Sequence, residues 1–254
     1  MGLAEWAAFA ESGLAETLID EGKLVATTRA EVDLPVELPH ALETAAVLEH
    51  ERVPFVSYPY EWTFEMLRDA ALLQLELLRR ALDEDLVLKD ATPYNVQWRG
   101  ARPVFVDVGS FERLREREPW AGFRQFSMLY LYPLLLEAWK GVPFQPWLRG
   151  SLDGISPQEM RSLVSRRDLL RRGGFTHVFM HSRLDRRHDG RTEDVKGELR
   201  AAGFRPELIA ANAAALERIV ARLRVPAARS AWSDYHATTS YSAEDAAGYP
   251  WRTS

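Results

Sequence analysis

Asp90, Asn95 and Asp107 are the residues whose types and spacing point to chemistry. Asp90 follows the apolar run Leu86-Val87-Leu88. Asn95 opens a second, alternating run, Val96-Gln97-Trp98. The turn Arg99-Gly100-Ala101-Arg102-Pro103 leads into Val104-Phe105-Val106, and Asp107 ends that run. The pattern predicts a strand, a polar loop, a β-hairpin and a second loop. A carboxylate, an amide and a second carboxylate are thus delivered from the ends of short strands joined by one tight turn. Hard cations such as magnesium take oxygen ligands, usually one or two carboxylates together with substrate phosphates. A metal bridging phosphates, beside a carboxylate that can accept a hydroxyl proton, is the working arrangement of phosphoryl transfer. Taken singly, each residue has a plainer reading, because Asp and Asn at strand ends commonly form turns or cap helices.

The elements that must position these groups are legible on either side. Thr63 is a good N-cap for a helix running to about Leu82, with Met66 at the third position. Phe64, Leu67, Ala71, Leu75, Leu78 and Leu82 recur at spacings of three and four, and Leu72, Leu73 and Leu77 widen the apolar face, so this helix is expected to be largely buried. Upstream, Leu3–Glu21 has helical periodicity that Ser12-Gly13 divides into two short helices. Lys23–Thr28 and Arg52–Val56 read as strands, and the segment from Ala41 to Glu49 as helix or strand. Downstream, Phe111–Trp120 is dense in charge. Ala121–Lys140 is an apolar helix or helix pair interrupted at Pro133, whose aromatic residues Trp120, Phe123, Phe126, Tyr130, Tyr132 and Trp139 are expected in the core. Gly141–Gly154 reads as a loop punctuated by Pro and Gly. Ser156-Pro157-Gln158-Glu159 is a helix start with Ser as N-cap, Pro at N1 and Glu at N3. Arg166, Arg167, Arg171 and Arg172 read as a solvated basic face or a patch for an anionic partner. His177 and His181 have the spacing of a helical metal pair, but no Glu lies between them to act as base. Pro206–Val225 is an amphipathic helix.

Composition bounds the functions. The chain has 254 residues, 46% hydrophobic and 27% charged, which fits an ordinary globular protein. A net charge of −5 disfavours broad nucleic-acid binding. There are no cysteines, which excludes disulfides, thiolate metal sites and cysteine nucleophiles. No apolar run reaches the roughly 20 residues of a membrane span. The N-terminal residues lack a basic region of the kind that opens a signal peptide, so a cytoplasmic protein without membrane contact is expected.

Asp90-x-x-x-x-Asn95, the hairpin, and Val106-Asp107-Val108-Gly109 together resemble the catalytic and metal-binding loops of the protein-kinase-like superfamily. The resemblance makes Asp90 the catalytic-loop aspartate, Asn95 the metal-binding asparagine and Asp107 the metal-binding aspartate before glycine. It departs from the kinase pattern at Leu88-Lys89, where kinases have His-Arg, and at Val108-Gly109, where they have Phe-Gly. A longer resemblance covers most of the chain. FVSYPYEWTFEMLRDAALLQLELL, LKDATPYNVQWRGARPVFVDVGSFE and WSDYHATTSYS look like the N-terminal half of a bacterial group of S-adenosylmethionine-dependent methyltransferases, in which a kinase-like segment precedes a Rossmann-type domain.

The resemblance implies an α+β, protein-kinase-like fold with a reduced N-lobe at residues 1–57 and a mostly helical C-lobe at 58–225. Residues 226–254 form a linker or tail towards a methyltransferase domain. It implies a hinge at Ser57-Tyr58-Pro59-Tyr60, where backbone groups would hold adenine and Tyr58 and Tyr60 would bind the cofactor. ATP and Mg²⁺ are the implied cofactors. S-adenosylmethionine would enter only through a domain not contained in this chain, since no G-x-G-x-x-G follows a strand anywhere in it. A methyltransferase domain in cis or trans, and a small-molecule or peptide substrate, are the implied partners.

The phosphate-covering side is reduced. Before Leu86 the only glycines are Gly2, Gly13 and Gly22, so there is no Gly-rich loop. Lys23 is the only lysine before Lys89 and stands in a turn context. Arg29 or Arg52, paired with Glu43 or Glu49, is an alternative, though arginine and lysine are not interchangeable at such a site. Lys89, beside Asp90, is a candidate to neutralise phosphate charge in the catalytic step. The expectation is a nucleotide- and substrate-binding module associated with a methyltransferase and degenerate in phosphotransfer. The alternatives are a divergent Mg²⁺-dependent phosphotransferase, and a partner- or RNA-binding scaffold using the arginine cluster.

Overall fold

The chain is a mixed α+β structure assembled around one long buried helix. The computed structural model describes residues 3–30, 46–115, 118–183 and 205–225. The expected acidic loop at 31–39, most of the segment 41–49, the polar stretch 188–198 and the tail 226–254 lie outside the described residues. In chain order the elements are α1 (Leu3–Glu11), α2 (Leu14–Asp20), β1 (Thr27–Ala30), β2 (Val47–His50), α3 (Phe64–Leu82), β3 (Leu86–Leu88), β4 (Val96–Arg99), β5 (Arg102–Phe105) and β6 (Phe111–Arg113). These are followed by α4 (Phe123–Phe126), α5 (Tyr132–Lys140), α6 (Gln145–Gly150), α7 (Pro157–Leu163) and α8 (Pro206–Val220).

Helix α3 forms where its apolar periodicity places it. Thr63 Oγ1 accepts the Met66 N–H at 3.3 Å, satisfying one of the unpaired donors of the first turn. Leu67, Ala70, Ala71, Leu75, Leu77, Leu78 and Ala81 have no solvent exposure, so the helix is enclosed on most of its circumference. Helix α8 packs along it, joined at the edge by Arg79–Glu217 at 2.7 Å. Helices α1 and α2 break at Gly13, which takes a left-handed φ of 74° that a side chain would strain. Phe9 of α1 stacks on Phe111 of β6 with centroids 4.0 Å apart.

The strands form three small antiparallel pairs, β1–β2, β3–β6 and β4–β5. In the last, Val96 faces Phe105 and Arg99 faces Arg102 across the Gly100 turn. Strand β6 returns to lie beside β3, with Leu88 opposite Phe111. The Asp90 loop, the hairpin and the Asp107 loop are therefore enclosed between two strands that pair with each other. Lys23–Val25 runs parallel to β5: Phe105 N–H donates to Lys23 O (2.8 Å) and Val25 N–H to Phe105 O (2.9 Å).

Several local expectations change. The upstream strand forms at Val47–His50, while 51–58 is irregular; Pro54 cannot donate to a ladder. The Lys23–Thr28 run divides between the parallel bridge to β5 and the start of β1. Residues 123–140 are one continuous helix, not broken at Pro133. A π-turn over Ser127–Leu131 precedes the proline, and the Met128 carbonyl, which Pro133 cannot serve, accepts the Ile155 N–H at 3.0 Å. The loop expected at Gly141–Gly154 contains α6, with Pro146 in its first turn, where a missing N–H costs nothing. The Arg166–Arg172 segment is a short 3₁₀ turn at Asp168–Leu170, not a helix face. The segment expected as a helix from Phe175 is π-helical over Gly174–Met180. No helix among the described residues is long and apolar enough to cross a membrane.

Candidate functional site

The site begins with how the Asp90 loop is held. Strand β3 ends at Leu88, and the chain then turns out of the sheet while keeping its hydrogen bonds. Lys89 N–H donates to Ser110 O (3.0 Å) and Asp90 N–H to Ser110 Oγ (3.1 Å). From beneath, the Gln74 amide of α3 donates to the Asp90 carbonyl at 3.0 Å. From the side, Ala91 N–H donates to Gln125 Oε1 at 2.6 Å, and Trp120 Nε1–H to Leu88 O at 2.7 Å. Gln74 and Ser110 are fully buried. Buried polar groups persist in structures when they are hydrogen-bonded, and these are spent on main-chain atoms of one loop. The Asp90 side chain is left half-buried.

Asn95 closes the 3₁₀ turn Pro93–Asn95, whose N-cap Thr92 accepts the Tyr94 N–H. Its carbonyl accepts the Val106 N–H at 2.9 Å. That bond brings the two ends of the hairpin together, and the side chains meet there: Asn95 Nδ2 donates to Asp107 Oδ2 at 2.9 Å. The other Asp107 oxygen accepts the Gly109 N–H at 3.0 Å, so Asp107 also caps the 3₁₀ turn Val108–Ser110. Burial is the main influence on the Asp107 carboxyl and raises its pKa above the ordinary value. The Gly109 N–H opposes the shift, Asp90 adds to it, and Lys89 and His50 lower it. A carboxylate that resists ionisation beside a second carboxylate is an arrangement that a bound cation relieves.

Of the expected residues, Asn95 and Asp107 are in direct contact, while Lys89 and Asp90 are tied by their main-chain N–H groups to Ser110, three residues past Asp107. The donor set, two carboxylates and an amide oxygen, fits a hard divalent ion such as Mg²⁺. Among the described residues no group of three His, Cys, Asp or Glu side chains has the spacing to hold a metal, so any ion here relies on Asn95 and on non-protein oxygens.

Tyr58 and Tyr60 stack on each other, with centroids 5.5 Å apart and rings within 3° of parallel. They sit at the 3₁₀ turn Pro59–Glu61. The turn packs against α6, and the Tyr94 hydroxyl of the Asn95 loop donates to Leu148 O in that same helix at 3.4 Å. Its main chain, however, is already engaged. Ser57 N–H donates to Gln97 Oε1 (2.9 Å), and Ser57 O accepts from Gln97 Nε2 (3.1 Å). Tyr58 N–H donates to Glu61 Oε2 and Tyr58 O accepts the Glu61 N–H, both at 2.8 Å. The Ser57 and Tyr58 main-chain groups are thus spent within the protein, while the Tyr58 side chain remains exposed.

Lys23 is committed elsewhere. Its Nζ lies 2.7 Å from Glu21 and 2.6 Å from Glu76, in a network that Arg80 completes through Glu21 at 2.6 Å. Glu76 follows Gln74 by two residues, roughly 200° around α3, so this network occupies a different helix face from the Asp90 contact. His177 and His181 also have partners: the Tyr132 hydroxyl donates to the His177 carbonyl (2.8 Å) and meets His181 Nδ1 (2.7 Å). Arg166, Arg167 and Arg172 are exposed, whereas Arg171 lies over Trp139 and 3.5 Å from Asp168.

Sequence reasoning missed Gln74, Gln97, Ser110 and Gln125. A glutamine inside the apolar face of α3 is a signal in itself, because a buried amide requires a partner. The others have no spacing that announces them.

No family model matches the chain, and no solved structure matches it. The chain is 34% identical over 230 residues to nodulation protein NoeA of Rhizobium meliloti (strain 1021), an alignment covering 89% of this chain and 47% of that protein. The chain spans about half the length of the curated relative it matches.

Proposed function

We propose that this chain is a kinase-like nucleotide- and substrate-binding module of a bacterial protein that works beside an S-adenosylmethionine-dependent methyltransferase. The observation that carries the reading is the 2.9 Å contact between Asn95 and Asp107 where the two ends of the hairpin meet, with the Asp90 main chain bonded to Ser110, whose own N–H donates to the Asp107 carbonyl. The order of parts supports it: β3, the Asp90 loop, the hairpin, Asp107, then β6 pairing back onto β3. Asn95 and Asp107 would hold Mg²⁺, which when bound would supply positive charge to offset a nucleotide's phosphates. The stacked Tyr58 and Tyr60 would offer apolar faces to a planar base. Asp90 would accept a hydrogen bond from a substrate hydroxyl, and Lys89 would offset phosphate charge.

Binding is favoured over turnover because Lys23 is held by two carboxylates instead of facing the site. The second reading, a divergent phosphotransferase with Asp90 as base, draws on the charge of Lys89 at Asp107. Phosphate stabilisation in the transition state is normally worth several kcal/mol, and Lys89 would have to supply it. The half of the relative outside the match leaves room for a methyltransferase domain, and that partner is part of the proposal.

Thermal denaturation with ATP and Mg²⁺ tests the reading. A ligand at about one hundred times its Kd stabilises the fold by about 2.7 kcal/mol. The expected result is a magnesium-dependent rise in Tm that Asp107→Ala removes. No shift with ATP and any divalent ion would end it. Transfer of the γ-phosphate that Asp90→Asn abolishes would promote the phosphotransferase reading instead.

A further inference from the structure

The chain carries a net charge of −5, yet residues 156–183 hold six arginines against two acids, Glu159 and Asp168. Both acids are spent within the fold. Asp168 is 4% exposed and bonded to Lys140 and Ser165, and the Glu159 carboxylate accepts the Ser156 N–H at 2.8 Å. The outward charge is therefore positive. Arg166, Arg167, Arg171 and Arg172 are all exposed, and Arg171 reaches across the Trp139 ring at 5.8 Å and towards Asp168.

Leu170 stands between the two arginine pairs. The 3₁₀ turn Asp168–Leu170 buries Asp168, packs Leu169 against the core and leaves Leu170 88% exposed. A leucine that exposed projects from the surface and lines no groove. The next element adds a second apolar projection. Gly174 sits so tightly on the turn that a Cβ there would lie 2.5 Å from the Asp168 carbonyl oxygen, so the π-helical segment Gly174–Met180 starts directly against it. Phe175, the second residue of that segment, is 58% exposed. Its ring stacks on Phe179, with centroids 5.4 Å apart, and Arg161 of α7 lies over Phe179 at 5.8 Å. Met180 is exposed at the end of the same segment.

We propose that the Leu170 turn and the adjoining Phe175 form an attachment site for an anionic lipid surface, with Leu170 and Phe175 entering the interface of the bilayer and Arg166, Arg167 and Arg172 meeting its phosphates. Exposed apolar residues rimmed by charge mark interaction sites. Arginine suits the rim, because its apolar stem lies along hydrocarbon while the guanidinium forks onto phosphate oxygens. Leu, Phe and Met share no shape that a matched pocket would recognise. They share only apolarity, which hydrocarbon accepts in any shape, and the surrounding charge selects an anionic leaflet. The lack of an apolar run long enough to span a membrane bears on crossing a bilayer, not on lying against one. Attachment here is independent of the nucleotide reading above.

The test is flotation of the full chain at low salt with vesicles of phosphatidylcholine alone, and with vesicles of phosphatidylcholine and phosphatidylglycerol in equal parts. The wild-type chain is expected to float with the anionic vesicles and not with the neutral ones. Each arginine near an anionic surface contributes about fivefold to partitioning, so Arg166→Gln, Arg167→Gln and Arg172→Gln together are expected to weaken it about a hundredfold. Leu170→Ser removes apolar contact without touching the core, and is expected to weaken partitioning about tenfold at unchanged Tm, with Phe175→Ser acting in the same direction. Failure of the wild-type chain to float with the anionic vesicles overturns the proposal. Flotation that the arginine substitutions abolish, but that Leu170→Ser and Phe175→Ser leave unchanged, is adsorption by charge alone and overturns it too. Binding of a polyglutamate peptide or an RNA oligonucleotide through the same arginines, with no flotation, assigns this face to a macromolecular partner instead.

Discussion

Gln97→Met removes a clamp while keeping the shape of the side chain. Gln97 and Ser57 are both buried, and the amide meets the main chain of Ser57 twice, at 2.9 and 3.1 Å. Methionine fills nearly the same volume and can make neither bond. The Ser57 N–H and C=O are then left unpaired, at about 1–3 kcal/mol for each buried group. The expected loss is about 3–4 kcal/mol, the middle of the sum. For a domain of this size each kcal/mol moves Tm by about 2–4 °C, so the midpoint should fall by about 7–14 °C. The assay is urea unfolding followed by tryptophan fluorescence; Trp62, one of eight tryptophans in the chain, donates its Nε1–H to Ser57 Oγ at 2.9 Å. The slope of the transition should not change, because the same surface is exposed on unfolding. A loss below about 1 kcal/mol, the worth of a single solvent-compensated hydrogen bond, would refute the claim that the clamp is dry and holds the aromatic turn to β4.

Asp107→Asn should raise the Tm of the ligand-free chain while abolishing its response to divalent ions. Because the folded pKa lies above the unfolded value, the group supports folding only while protonated, and that support is lost as pH rises through the folded pKa; the gain from Asn should be present at pH 7 and vanish in acid. Asp168→Asn should have the opposite sign. Burial raises the Asp168 pKa, but Lys140 at 2.8 Å and the Ser165 hydroxyl and N–H outweigh it and bring it to about 2. Its support, about 2 kcal/mol, is complete above the unfolded value near 4 and lost as pH falls towards 2, which acid unfolding of both proteins would reveal. Gly154→Ala should destabilise the chain by more than about 2 kcal/mol, since Gly154 has φ of 76° and a Cβ there would collide with the Met128 carbonyl at the π-turn; a denaturant midpoint equal to wild type would contradict the packing.

The parts of the fold written in local chemistry were legible. Thr63 and the apolar spacing behind it define α3 to the residue, Ser156-Pro157-x-Glu159 forms the capping box, and Gly13 divides α1 from α2. The meeting of Asn95 and Asp107 was legible for the same reason, since a tight hairpin fixes the distance between its ends. What stayed hidden depends on distant pairing. Gln97 finds Ser57 forty residues away. Ser110 finds Asp90 only because β6 folds back onto β3. The parallel bridge of Leu24 to Phe105 joins the N-terminal segment to β5, and it leaves no periodic mark in the sequence. The π-turn was invisible because Pro133 reads as a break, whereas a widened turn with an outside donor lets the helix continue past it.

The most direct test of the central claim is where a nucleotide-bound ion sits. In amide-resolved NMR spectra of the full chain, sub-stoichiometric Mn²⁺ with ATP should broaden the Asn95 side-chain amide and the Gly109 N–H first, because both contact Asp107 within 3.0 Å. Asp107→Ala should abolish that broadening. Broadening centred elsewhere, or none at ATP concentrations in the millimolar range, would contradict the assignment of this hairpin as a nucleotide–metal site.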